Sequence, residues 1–274
     1  MSTTRISREA FRAPLDHGLF LNGEIKAKDG HKDLPVLITA HGFRGFKEWG
    51  FWPYVTDALA ELGFYTVIFD FSRIDAAAAK QPDAVIAQAR TLSRELEDLQ
   101  TIVELVREQR LPLSASADPG RIGLLGHSRG GAASVITAAE QTAIGAVVAW
   151  NPPSDLTPPA GVSAEPFIAA DIEQNASRYD IPYKLAYLKQ PALIVQGSAD
   201  VERILLGHEA LRLAAPGHSF VQIEGGDHSF GVQHPFTGPT PALVEALQAT
   251  TRFFRQHLQP VEALRKEAQS HGHS

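Results

Sequence analysis

Ser128 stands between two glycines in Gly126-His-Ser-Arg-Gly130. A serine hydroxyl attacks carbonyl carbon poorly until a neighbouring base takes its proton. The G-x-S-x-G spacing suits a sharp strand-to-helix turn that leaves the serine exposed, with glycines where a Cβ would meet neighbouring backbone. Three fixed positions in five recur by chance, so the flanks decide. The apolar run Ile122-Gly-Leu-Leu125 precedes the motif, and a stretch rich in Gly and Ala follows it. A helix beginning at Arg129 would aim its N-terminal amides and positive dipole end at whatever Ser128 attacks.

The base is expected after the last strand, where Gly225-Gly-Asp-His-Ser-Phe230 supplies His228. A carboxylate must then hold the imidazole in one tautomer and stabilise its cation. Asp200, in Gln196-Gly-Ser-Ala-Asp200, follows an apolar run and precedes His228 by enough chain for one helix and one strand. Its rival is Asp155, which follows the run ending at Trp150 but sits among Pro152, Pro153, Pro158 and Pro159. Taken singly, His228 reads as a surface-loop histidine and Asp200 as a solvated turn residue. The chain order Ser128, Asp200, His228 favours the chemical reading. An oxyanion needs two donors. The amide of Arg129 is one. The amide of Phe43, in His41-Gly-Phe-Arg-Gly45 after LPVLITA, is the other.

These loops need elements to carry them. Apolar runs alternate with amphipathic stretches, which predicts an α/β fold with a mostly parallel sheet. Strands are expected at 34–40, 64–69, 121–126, 144–150, 192–196 and 219–223, after a pair within 8–28. Asn22-Gly23 is a turn signal inside that pair, and Asp118-Pro-Gly120 is another turn. Leu92, Leu96, Leu99, Val103 and Val106 recur at three and four, so 91–109 is a helix with one buried stripe. Further helices are expected at 53–62, 129–141, 203–214 and 240–258. Residues 151–190 break the rhythm with prolines and read as a short cap inserted into one 1–274 domain. Residues 260–274 are polar and expected to fray.

The 274 residues carry 25 Lys+Arg against 31 Asp+Glu, a balance that disfavours nucleic acid and anionic membranes as partners. There is no Cys, which excludes disulfides, thiolate metal sites and a Cys nucleophile. No apolar run reaches the length of a membrane span. The N-terminus lacks the apolar stretch of a secretory signal, so the expected address is cytoplasmic. His271 and His273 are too sparse for a metal site, and no cofactor motif is present.

Over residues 8–258 the chain resembles the α/β-hydrolase superfamily. Within it, the similarity is to single-domain esterases related to cinnamoyl and feruloyl esterases, and to prolyl-oligopeptidase-like catalytic domains. The resemblance rests on His41-Gly-Phe43, Gly126-His-Ser-Arg-Gly-Gly131, Gly197-x-x-Asp200 and Gly226-Asp-His228. It implies a Ser-His-Asp hydrolase of acyl compounds without a cofactor. Two departures stand out. Many relatives have glycines after the strand ending at 69, where this chain reads Asp70-Phe-Ser-Arg-Ile-Asp-Ala-Ala-Ala-Ala79. Dienelactone hydrolases use a Cys nucleophile, where this chain has Ser128.

The resulting expectation is a serine carboxylesterase for short-chain or small aryl esters, with a small-molecule substrate. A peptidase or thioesterase with the same triad is the alternative, and a silent binding domain is the rival from another class. His41 is expected to support its loop, His127 only to pack beside the elbow, and His234 to be structural. The Arg129 side chain is expected on the surface. Trp49, Phe51, Trp52 and Tyr54 are read as core that could also wall a pocket.

Overall fold

The computed structural model describes residues 5–158 and 165–259, apart from the His17 side chain. Eight strands form one sheet: β1 (Ile6–Pro14), β2 (Phe20–Lys28), β3 (Leu34–Ala40), β4 (Tyr65–Asp70), β5 (Ala117–His127), β6 (Ile144–Trp150), β7 (Ala192–Gly197) and β8 (Ser219–Ile223). Their order is β1-β2-β4-β3-β5-β6-β7-β8. The first two pairings in that order are antiparallel and the rest parallel. The mostly parallel α/β architecture expected from the alternating runs is therefore present.

Nine helices are described: α1 (Trp52–Glu61), α2 (Ser72–Ala78), α3 (Asp83–Ala89), α4 (Leu92–Arg107), α5 (Arg129–Glu140), α6 (Pro166–Gln174), α7 (Ile181–Ala186), α8 (Glu202–Ala214) and α9 (Pro241–Leu258). Every residue of β3 is buried, as parallel strands covered on both faces require. Val36 and Ile38 point into one apolar layer with α4 and α5, while Leu37 points into the other with α1 and α9. The helix starts follow local chemistry. The hydroxyls of Thr91 and Thr240 accept from the N–H groups of Arg94 and Leu243, capping α4 and α9. The predicted stripe of α4 is buried.

Two turn assignments are corrected. Asn22-Gly23 lies inside β2, paired with Arg12 and Phe11. Gly23 serves close packing there, since a Cβ would stand 2.3 Å from the Phe11 ring. Asp118-Pro-Gly120 is an irregularity within β5, where the pairing jumps from Pro35↔Asp118 to Val36↔Ile122. The stretch 70–79, expected as a loop lacking glycines, carries α2 instead, and α3 follows it. Residues 260–274, with His271 and His273, and Pro159 lie outside the described residues.

Loops at the carboxyl ends of parallel strands carry ligand sites in such sheets. Here β3 leads into 41–45, β5 into Ser128, β7 into Asp200 and β8 into the loop of His228. In the 151–190 segment, Asp171 of α6 accepts from the N–H groups of Leu92 and Ser93 at 3.0 and 3.2 Å. This ties α6 to the start of α4.

Candidate active site

Ser128 occupies the turn between β5 and α5 at φ 55°, ψ −127°, a conformation side chains rarely adopt. The close packing expected of the flanking glycines is present. A Cβ at Gly126 would lie 2.1 Å from the Gly130 carbonyl oxygen, and one at Gly130 would lie 2.2 Å from that of Ala40. The Ser128 N–H donates to the Trp150 carbonyl at 2.8 Å, fastening the turn to β6.

The three residues singled out for nucleophile, base and acid converge. Ser128 Oγ lies 3.0 Å from His228 Nε2. His228 Nδ1 lies 2.8 Å from Asp200 Oδ2. With Nδ1 donating to the carboxylate, the Nε2 lone pair faces the serine hydroxyl. Burial raises the Asp200 carboxyl, but the hydrogen bond and charge of His228, with the Val201 N–H and Gln196, outweigh it and hold the group below its ordinary value. Asp155 is elsewhere: its carboxylate accepts from the Thr157 N–H and hydroxyl at 2.8 and 2.6 Å and is exposed.

A glycine at 197 could serve to turn the chain out of the sheet. Its role is close approach instead, because a Cβ there would stand 2.2 Å from the Gly226 carbonyl oxygen. The Ala199 N–H donates to that same carbonyl at 2.9 Å, so the Asp200 and His228 loops are joined through backbone.

Two side chains grip the backbone of His228. His127 Nε2 donates to its carbonyl at 2.7 Å, and Asn151 Nδ2 does so at 2.9 Å. Asn151 Oδ1 also accepts from the Gly197 N–H at 2.8 Å. Burial, followed by the neighbouring His228, lowers the His127 pKa to about 4, so it donates as a neutral ring. Asn151 was missed. The available signal was its place directly after β6.

The 41–45 loop lies against Ser128: a Cβ at Gly42 would be 3.2 Å from that of Ser128. Among the described residues, neither the Phe43 nor the Arg129 N–H donates to a protein acceptor. His41 is buried and supports its loop as expected, its Nδ1 2.9 Å from the Gly42 carbonyl and its Nε2 accepting from the Phe71 N–H. Burial, then Arg73, lowers its pKa to about 3.

The Arg129 side chain is not on the surface as expected. Its Nε lies 2.8 Å from the buried Glu95 carboxylate, and its guanidinium stands 4.5 Å from the centre of the Phe43 ring. Arg73 and Glu95 were not singled out. The periodicity of α4 carried the signal, since it places Glu95 on the buried side between Leu92 and Leu96.

A cavity of about 490 Å³ opens beside Ser128, lined by Gly42, Phe43, Arg44, Gly45, Trp49, Trp52, His127, Ser128, His228 and Ser229. Trp49 and Trp52 wall it, whereas Phe51 is core and packs edge-on against His127 at 5.3 Å. Among the described residues none of 151–190 lines it. His234 also stays off its wall, accepting from the Gly50 N–H at 3.2 Å.

The model of the dienelactone hydrolase family matches residues 22–258. The chain belongs to the dienelactone hydrolase family. Membership makes it a hydrolase of the carboxylesterase type, and the family here carries Ser128 rather than the Cys taken above as the mark of dienelactone hydrolases. Among solved structures it resembles dienelactone hydrolase from Anabaena variabilis (TM-score 0.67, 18% identity, 93% of this chain and 99% of that one). It also resembles Est1E from Butyrivibrio proteoclasticus (TM-score 0.68, 20% identity, 90% and 98%). Puromycin hydrolase shares the fold at TM-score 0.68 and 16% identity, over 92% of this chain and 39% of that one. No curated protein matches the sequence. No helix among the described residues is long and apolar enough to cross a membrane.

Proposed function

We propose that this hydrolase cleaves short-chain or small aryl carboxylic esters through an acyl-enzyme on Ser128. The observation that carries the reading is the continuous chain from Ser128 Oγ through His228 to Asp200, at 3.0 and 2.8 Å. Ser128 Oγ bonds to the ester carbonyl carbon while its proton passes to His228 Nε2. The carbonyl oxygen becomes an oxyanion held by the N–H groups of Phe43 and Arg129, both without a protein acceptor. The carbon–oxygen bond to the alcohol then breaks, and His228 returns the proton to the leaving oxygen. Water repeats the sequence and frees the acid. Asp200 stays ionised throughout and stabilises the imidazolium, in keeping with its lowered pKa.

The aromatic lining of Phe43, Trp49 and Trp52 supports flat or short acyl groups. Est1E, a fold relative, binds ferulic acid. In this reading residues 151–190 are a short cap lying beside the cavity, where Leu156, Pro158, Ile168 and Ile172 enclose a pouch of about 70 Å³ with Leu92 and Arg129. The site is proposed to act without metal or cofactor.

The test is a fluorophosphonate label with an ester panel graded in acyl length, including aryl esters, thioesters and aminoacyl amides. Short or aryl esters should turn over fastest, and Ser128→Ala should lose label and about 10⁵- to 10⁶-fold in kcat. Retained turnover in that variant would end the reading. Faster cleavage of thioesters or amides would move the enzyme to the alternative class.

A further inference from the structure

Glu95 touches neither the cavity nor the proposed triad, yet its two oxygens reach both sides of the proposed oxyanion hole. It is 1% exposed. One oxygen accepts from Arg73 Nε at 3.1 Å and the other lies 2.8 Å from Arg129 Nε. Arg73 Nη2 donates to the carbonyls of Gly42 and Gly45 at 2.9 and 3.0 Å, bracketing Phe43. Arg129 supplies the other oxyanion amide from its own backbone, and its Nη2 donates to the Arg90 carbonyl at 2.7 Å. Both guanidiniums stand over the Phe43 ring, at 5.3 and 4.5 Å. One carboxylate thus links the loop that presents one N–H to the residue that presents the other.

Stability does not account for this arrangement. Burying two cations and an anion is costly, and apolar residues of similar volume often serve a fold as well or better. The neighbours of Glu95 on α4 include Leu92, Leu96 and Leu99, so an apolar side chain would continue the layer. Without the carboxylate the two guanidiniums would also repel across the Phe43 ring. What the Arg73–Glu95–Arg129 triad supplies is a directional side-chain link between two turns whose backbones already pack at Gly130 and Ala40. Oxyanion stabilisation depends on donors held in place before the charge develops. We propose that Glu95 is a positioning residue that holds the Phe43 and Arg129 amides in register through Arg73 and Arg129. The proposal rests on the esterase reading above.

The test measures kcat and KM of wild type, Glu95→Gln, Arg73→Lys and Ser128→Ala on one short aryl ester. Each kcat is divided by the sites titrated with fluorophosphonate at end point, so that misfolded protein does not count; Ser128→Ala, which has no such site, gives the unlabelled background. Removing a whole oxyanion donor costs about 10²–10³ in kcat. Misplacing the pair should cost about 10- to 100-fold in Glu95→Gln, with KM changed less than about threefold. Arg73→Lys keeps a charge facing Glu95 but cannot fork across both carbonyls, and it should lose kcat in the same way. A kcat per titrated site within about twofold of wild type in both variants would overturn the proposal, even with a lowered Tm. Failure of both variants to fold would assign the triad to structure and overturn it as well. A wild-type protein that neither labels nor turns over ester would instead end the esterase reading.

Discussion

The two flanks of Ser128 are held by different physical means. On the His228 side, neutral hydrogen bonds do the holding: His127 and Asn151 grip one carbonyl, and Ala199 bonds to Gly226. On the Phe43 side, buried charges do it, with Glu95 between Arg73 and Arg129. The difference follows from geometry. The Asp200 and His228 loops leave adjacent parallel strands, so their backbones already touch. The 41–45 loop also leaves a strand with parallel neighbours, but on its outer side β4 runs on into α2, and the carbonyls of Gly42 and Gly45 are met by a long side chain from that helix, held in turn by Glu95 of α4. Arg and Glu span that distance, and forked guanidinium contacts fix direction as well as length.

The comparison can be broken first at the acid. Asp200→Asn should reverse the imidazole tautomer and lose about 10⁴ in kcat with little change in Tm, following the serine-protease precedent. Asp155→Asn, whose carboxylate serves Thr157, should lose no more than about tenfold. Steady-state kinetics of the pair decides it, and exchanged outcomes would move the acid to Asp155. A smaller effect is expected one step behind the base. Asn151→Ala leaves the His228 carbonyl with His127 alone, and a shift of the ring by about 1 Å costs about 100-fold in kcat. A value near wild type would show that the neutral flank is held by backbone alone.

The smallest effect concerns stability on the charged flank. Burial raises the Asp98 carboxyl to about 7, against the bond from the Ser72 N–H. The folded protein therefore keeps a proton there that the unfolded chain gives up near its ordinary value. Stability is greatest, for this group, below the ordinary carboxylate range and is lost as pH rises toward about 7. Asp98→Asn removes that dependence. Its Tm should match wild type near pH 4 and exceed it by a few degrees at pH 8. His41 and His127, lowered to about 3 and 4, destabilise both proteins equally at acid pH and cancel in the difference. Equal Tm gaps at the two pH values would show Asp98 ionised in the fold.

The two flanks also differed in how far they could be read from the sequence. Ser128, Asp200 and His228 each lie in the loop that follows a strand, so a run of apolar residues marks where each must emerge. The separation of 28 residues from Asp200 to His228 is the length of one helix and one strand. Glu95 and Arg73 lie 22 residues apart on separate helices, and nothing local pairs them. The helix α2 that carries Arg73 was read only as a loop without glycines. Its alanines made it helical, and that helix secures the oxyanion loop. Asn22-Gly23 misled because turn propensity is local, whereas strand pairing with Phe11 and Arg12 is not. Arg129 was placed on the surface because a charged side chain at a helix start usually meets water, and its buried partner came from α4.

The elbow at Ser128 has a consequence for the whole chain. A left-handed residue with a side chain costs about 1–3 kcal/mol, a sizeable part of the 5–15 kcal/mol by which folded domains persist. Glycine at 128 would relieve that cost and abolish the chemistry. Reactivity and durability therefore oppose each other at a single residue. The reserve that tolerates the elbow lies in the two apolar layers on either side of the sheet, so a substitution that thins either layer draws on the same margin that holds Ser128 in that conformation.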